Sequence, residues 1–134
     1  MENRIETVLA QYNQRAAHEA VLLRDLSLEE MMQRVDEFLI SIGSGTGTLL
    51  NTLIKSAKAR TVLELGTSYG HSTIFFAEAV RATGGRVISV DISAAKQHYA
   101  REQLAAAGLE PFVEFRTGDA RDVIASLRGR SISC

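Results

Sequence analysis

The chain has 134 residues, of which 46% are hydrophobic and 23% charged, values typical of one soluble globular domain. Fifteen Lys and Arg against sixteen Asp and Glu give a formal net charge of -1, which excludes the strongly basic surface that binds nucleic acid or anionic lipid. The single cysteine, Cys134, excludes an internal disulfide and a cysteine-based zinc site, and favours a cytoplasmic setting. No apolar run approaches the about 18 residues of a membrane-spanning helix, and no secretion signal begins the chain.

The first part of the chain predicts helices. Apolar residues recur at helical spacing from Ile5 to about residue 23, which indicates one or two amphipathic helices. Ser27 and Glu30 have the spacing of a capping box and predict the start of a further helix. The glycine-rich residues 41–47 predict a turn, after which the helical spacing resumes to about residue 59. We therefore expect a helical segment over residues 1–42, followed by a second domain over residues 43–134.

From residue 61 onwards the pattern alternates between strands and helices. Short apolar runs at residues 61–65, 86–90 and 112–115 predict three buried strands, and a helical pattern follows each of them. Gly84 and Gly85 end the first of these helices, while Ser93 is positioned to cap the second. This alternation predicts an α/β fold with a parallel sheet and right-handed crossovers.

The loop after the first predicted strand is a candidate ligand site. It runs from Glu64 to Ser72 and follows the pattern E-x-G-x-x-x-G, so it lacks the G-x-G-x-x-G spacing of a dinucleotide site and argues against an NAD-dependent oxidoreductase. An acidic residue and helix N–H groups in such a loop suit the ammonium and carboxylate of S-adenosylmethionine. The alternative is that Gly66 and Gly70 only form a tight turn.

Two further strand ends carry residues that suit the same ligand. Asp91 ends the second strand, where a carboxylate can accept hydrogen bonds from both ribose hydroxyls, although it could instead be only a helix cap. Asp119 and Ala120 follow the third strand, where a carboxylate or backbone amide suits an adenine edge, and Ile92 offers an apolar face. The three strand ends together favour S-adenosylmethionine over a simple turn.

These segments resemble the cofactor motifs of a known family. Residues 61–72, 87–91 and 113–120 are similar to the successive motifs of class I S-adenosylmethionine-dependent methyltransferases, and ELGTSYGHST resembles the O-methyltransferase branch that includes catechol and caffeoyl-coenzyme A methyltransferases. The resemblance implies a Rossmann-like methyltransferase fold. It also implies which residues contact each part of the cofactor. The methionine portion would be contacted by Glu64, Gly66 and Ser72, the sulfonium side by Ile42, the ribose by Asp91, and the adenine by Ile92, Asp119 and Ala120.

The function that the resemblance implies is methyl transfer from S-adenosylmethionine to a hydroxyl of a small molecule, with this chain supplying the cofactor-binding half. Family members continue with a fourth strand that ends in an acidic residue, and metal-dependent members also hold a divalent cation such as Mg²⁺. No matching residues follow Leu127, so we expect no metal site and no identifiable catalytic residue in this chain, and we interpret it as C-terminally truncated. The alternative is a non-catalytic methyltransferase-like chain that binds the cofactor or a protein partner. The branch also commonly forms homodimers.

Overall fold

The computed structural model describes residues 1–34 and 44–127. Its elements in chain order are α1 (Asn3–Arg24), α2 (Leu28–Gln33), α3 (Ser44–Ala57), β1 (Thr61–Leu65), α4 (His71–Thr83), β2 (Arg86–Asp91), α5 (Ala94–Ala106), β3 (Val113–Thr117) and α6 (Ala120–Ser126), with a short 3-10 turn (Glu110–Phe112) ahead of β3. None of the described helices is long and apolar enough to cross a membrane.

The three strands form a parallel sheet in the order β1-β2-β3. Leu65 of β1 lies opposite Val90, and the next residue of β2, Asp91, lies opposite Thr117 of β3. The carboxyl ends of all three strands therefore meet at one edge of the sheet, where α/β folds bind their ligands. The predicted α/β class with a parallel sheet and flanking helices is confirmed.

The core lies on both faces of β2, because side chains alternate between the two faces of a strand. Val87 packs into a cluster that contains Ile5 and Tyr12 of α1 together with residues of α4 and α5. Ile88 and Val90 face the other way and pack against α6. Helix α1 is thus part of the main core, and the expected domain division at residue 42 stays a prediction.

The N-terminal predictions are partly corrected. Residues 5–23 belong to one helix, and the capping box is formed, since Glu30 N donates to Ser27 Oγ at 3.1 Å. The predicted turn over residues 41–47 is wrong in its second half, because α3 already begins at Ser44. A Cβ on Gly47 would lie 2.5 Å from Phe75 Cδ2, so glycine here allows the first turn of α3 to pack closely on α4. Residues 35–43 lie outside the described part of the chain.

Candidate functional site

The loop after β1 turns across the end of β2. Its backbone donates to one carbonyl of β2, with Gly66 N 2.7 Å and Thr67 N 3.0 Å from Val90 O. Gly66 and Gly70 have φ values of +96° and +91°, and Ser68 has a φ of +50°, all in the left-handed region. This turn suits glycine because a residue without a Cβ adopts positive φ at little cost.

The two glycines of this loop have different surroundings. A Cβ on Gly70 would lie 2.6 Å from the Cβ of Ala100, so Gly70 lets the loop pack against α5. A Cβ on Gly66 would have no other heavy atom within 4 Å, so Gly66 borders open space at the carboxyl end of the sheet. The tight-turn alternative therefore describes Gly70 well, whereas Gly66 also leaves room for a ligand.

Asp91 occupies the end of β2 and is held from two sides. Its Oδ2 accepts from Ser68 N and its Oδ1 from Ser93 N, each at 2.8 Å. The helix cap of α5 is Ser93 itself, whose Oγ accepts from Lys96 N at 3.2 Å. The alternative in which Asp91 serves only as that cap therefore does not match the structure. A carboxylate has about four acceptor positions, so about two remain for ligand hydroxyls.

The third strand end completes one side of a cavity of about 290 Å³. The cavity is lined by the ends of the three strands and the residues that follow them (Leu65, Gly66, Val90, Asp91, Ile92, Gly118 and Ala120). Four predicted cofactor residues therefore share one cavity. Ile92 is 77% exposed, which leaves its apolar side chain available to a ligand. A second cavity, of about 480 Å³, shares Asp91 and Ile92 and extends towards Tyr69 and Lys96.

Asp119 lies next to this cavity without lining it. Its exposed side chain caps α6, because Oδ1 accepts from Arg121 N at 2.8 Å. Gly118 N donates to Asp91 O at 3.0 Å, which ties the loop after β3 to the end of β2.

Glu64 and Ser72 are brought together, but outside the lining of the cavity. Glu64 is only 7% exposed, and its carboxylate accepts from Ser72 Oγ at 2.5 Å, Thr73 Oγ1 at 2.5 Å and Ser89 Oγ at 2.7 Å. Burial raises the pKa of Glu64, and the hydrogen bonds from these hydroxyls, that of Ser72 foremost, oppose the rise. Neither Glu64 nor Ser72 lines the 290 Å³ cavity. The remaining predicted contact, Ile42, lies outside the described residues.

A buried polar cluster near the strand ends was not predicted from the sequence. Thr67, Ser89 and Gln97 are 1%, 0% and 3% exposed, and they are hydrogen-bonded to one another. Ser89 gave a signal, because it interrupts an otherwise apolar buried strand. Gln97 gave none, since a glutamine on a helix is most often on the solvent side.

Tyr12 of α1 is a second missed residue. Its hydroxyl donates to the carbonyl of Tyr69, and its ring stacks on His71 with centroids 4.8 Å apart. Burial raises the pKa of the Tyr12 phenol, so it remains protonated and keeps its donor. Its helical spacing predicted only that it belongs to an amphipathic helix, whereas the structure shows that it also holds the loop after β1. Among residues 1–34 and 44–127, no group of three or more His, Cys, Asp or Glu side chains is placed to hold a metal ion.

Comparison with known proteins agrees with this geometry. Residues 63–134, more than half of the chain, match a family model described as a methyltransferase domain. The chain belongs to this methyltransferase family. It is 35% identical to a catechol O-methyltransferase of Niastella koreensis over 66% of this chain and 39% of that protein, and 34% identical to one of Mycobacterium tuberculosis over 67% of this chain and 40% of that protein.

Solved structures with the same fold are also O-methyltransferases. An O-methyltransferase of Bacillus cereus in complex with S-adenosylhomocysteine (SAH) superposes with a TM-score of 0.69 at 27% identity, over 95% of this chain and 50% of that one. An O-methyltransferase of Streptomyces achromogenes in complex with S-adenosylmethionine gives a TM-score of 0.68 over 99% of this chain and 50% of that one, and its 23% identity supports the fold alone. The predicted family and fold are confirmed, while the chain spans about 40% of the curated relatives and about half of these structures.

Proposed function

We propose that this chain binds S-adenosylmethionine at the carboxyl ends of β1, β2 and β3, and that it forms the cofactor-binding part of an O-methyltransferase. The observation that carries the proposal is the 290 Å³ cavity, in which the open face of Gly66, the carboxylate of Asp91 and the exposed side chain of Ile92 meet. An uncharged sugar with two hydroxyls and a flat base suits this combination of acceptor and apolar wall.

The proposed contacts follow the order of the strand ends. Gly66 would take the methionine portion, Asp91 the ribose hydroxyls, and Ile92 the adenine face. The backbone at Ala120 and the carboxylate of Asp119 would bind the adenine edge. Ile42 remains the proposed cover of the sulfonium side.

The role proposed for Glu64 and Ser72 takes account of their depth. Burial raises the pKa of Glu64, and a bound ammonium of the methionine portion would oppose that rise by favouring the ionised carboxylate. Its hydrogen bond to Ser72 Oγ orients that hydroxyl at the first turn of α4, which begins at His71. The helix N-terminus there favours the carboxylate of the same group.

The chemistry that this arrangement serves is methyl transfer. When bound, S-adenosylmethionine supplies a methyl group on a positively charged sulfur. The residues of this chain bind and orient that group, so that an acceptor hydroxyl can approach in line. We propose a small hydroxylated acceptor, because related proteins are named catechol O-methyltransferases. We also propose a cytoplasmic setting, because the sequence has a single cysteine. In this proposal, the catalytic groups, a divalent cation and the formation of a homodimer are features of longer family members, and none of them is assigned to residues of this chain.

Isothermal titration with SAH tests the proposal directly. Circular dichroism first establishes that the chain is folded, and NAD⁺ serves as the control ligand. We expect saturable binding of SAH and none of NAD⁺. A folded chain that does not bind SAH would overturn the proposal.

A second assay separates the enzyme from the non-catalytic alternative. The chain is incubated with S-adenosylmethionine, Mg²⁺ and catechol, and the formation of SAH is followed. Turnover would show that the chain is catalytic by itself. Binding without turnover would support a chain that supplies only the cofactor site.

A further inference from the structure

The buried polar cluster connects strands that do not touch. Strand β2 lies between β1 and β3, so the loops that follow β1 and β3 have no direct pairing in the sheet. The side chain of Gln97, on α5, bridges the loop after β1 and the carboxyl end of β3. Its Nε2 donates to Arg116 O at 2.9 Å and to Thr67 Oγ1 at 3.3 Å, while its Oε1 accepts from Thr117 Oγ1 at 2.6 Å.

Each hydroxyl group has one hydrogen to donate, and this determines which group is the donor in the bond between Thr67 and Ser89. Ser89 Oγ donates its single hydrogen to Glu64, so the 2.6 Å bond between Thr67 Oγ1 and Ser89 Oγ must be donated by Thr67. The Thr67 oxygen then has an acceptor position for the amide of Gln97. An ordered chain of donors therefore runs from the amide of Gln97 through Thr67 and Ser89 to the carboxylate of Glu64.

Both ends of this bridge adjoin cavity residues. Thr67 lies between Gly66, which lines the cavity, and Ser68, whose N–H holds the Asp91 carboxylate. Thr117 immediately precedes Gly118, which lines the opposite wall. A change at Gln97 is therefore transmitted to two walls of the cavity, although Gln97 itself is buried and does not line it.

We propose that Gln97 is a positioning residue of the cofactor site, which sets the separation between the loop after β1 and the carboxyl end of β3. The inference rests on the proposed function, because the ligand whose affinity it controls is S-adenosylmethionine or its product SAH. A buried amide suits this role, since it offers a donor and an acceptor at one position, whereas an apolar side chain of the same size offers neither.

The test compares Gln97→Met with a matched control, Asn51→Leu. Asn51 is also a buried amide, 5% exposed, and its Nδ2 donates to Phe75 O at 2.7 Å and to Glu78 Oε1 at 3.0 Å between α3 and α4. Both substitutions remove a buried amide, and both should lower the melting temperature. We expect the affinity for SAH to fall about tenfold or more in Gln97→Met and to stay within about twofold of the wild type in Asn51→Leu.

Two further variants keep the test decisive. Thr117→Val removes only the hydroxyl that donates to Gln97, at an exposed position, and is expected to weaken SAH binding even if Gln97→Met does not fold. The affinity losses of Thr67→Val and Gln97→Met should be less than additive, because both break the same bridge.

The outcomes separate this inference from the proposed function. If the wild type does not bind SAH, the proposed function fails and this inference fails with it. If the wild type binds and Gln97→Met or Thr117→Val binds equally well, Gln97 is not a positioning residue and the cofactor site still stands. Equal losses in Gln97→Met and Asn51→Leu would also overturn the inference, since they would reflect general destabilisation.

Discussion

Replacing Gly66 with alanine tests whether the space beside this glycine holds the cofactor. The substitution has two separable effects. A residue with a Cβ at a φ of +96° costs roughly 1–2 kcal/mol of stability through backbone strain. The new methyl group meets no protein atom within 4 Å, so it projects into the open space of the cavity.

Gly84 provides a matched control for the strain. Its φ is +79°, and a Cβ there would also meet nothing within 4 Å. It ends α4, ahead of the amino end of β2, and so lies at the opposite end of the sheet from the cavity. Gly84→Ala should therefore lower stability by a similar amount without touching the ligand.

Gly66→Ala and Gly84→Ala are expected to differ in their affinity for SAH and not in their loss of stability. Accommodating an extra methyl group in a packed site typically costs about 1–3 kcal/mol, which corresponds to a loss of about fivefold to 150-fold in binding. Titration calorimetry with SAH, together with melting curves, measures both effects. If Gly66→Ala binds SAH as tightly as Gly84→Ala does, the open face of Gly66 is not part of the site and the reasoning is refuted.

Two further substitutions test Asp91 and His71. Asp91→Ala should weaken SAH binding about tenfold or more, measured by calorimetry, because two ribose hydrogen bonds are lost; an unchanged affinity would limit Asp91 to holding the loop through Ser68 N. Burial lowers the pKa of His71 below its usual value near 6.5. The neutral form of His71 therefore contributes its full stability above about pH 6.5, and this stability is lost as the pH falls through the lowered pKa. Denaturant unfolding between pH 7.5 and 5 should show this loss, up to about 1.4 kcal/mol per pH unit, in the wild type and not in His71→Phe, whose ring can still stack on Tyr12. Parallel pH profiles for the two proteins would contradict this explanation.

Local sequence patterns located the elements and the strand ends that line the cavity. The apolar runs gave β1 at its observed limits and the other two strands to within two residues, because strand periodicity and helix breakers such as Gly84 act over a few residues. The same local reasoning placed Gly66, Asp91, Ile92 and Ala120 at strand ends, and the parallel sheet then brings those ends together at one cavity.

The start of α3 and the burial of Glu64 could not be predicted without the tertiary structure. Gly45 and Gly47 favour a turn by local propensity, but both lie in α3, where Gly47 packs closely on Phe75. The spacing of Glu64 identified it as an acidic strand residue next to the loop. Its burial followed only when Ser72, Thr73 and Ser89 were folded around its carboxylate.

The sequence by itself determined the class of fold and the order of the strand ends that line the cavity, because these depend on short-range periodicity and on residue types at a turn. The family followed from the resemblance of those turns to known motifs. Only the tertiary structure decided that Tyr12 holds the loop after β1 and that Gln97 joins Thr67 to Thr117. Those contacts span 57, 30 and 20 positions of the chain, and they form only after helices α1 and α5 dock on the sheet. No local pattern encodes them, since a tyrosine or glutamine on a helix has the same neighbours in sequence whether it faces solvent or a buried hydroxyl.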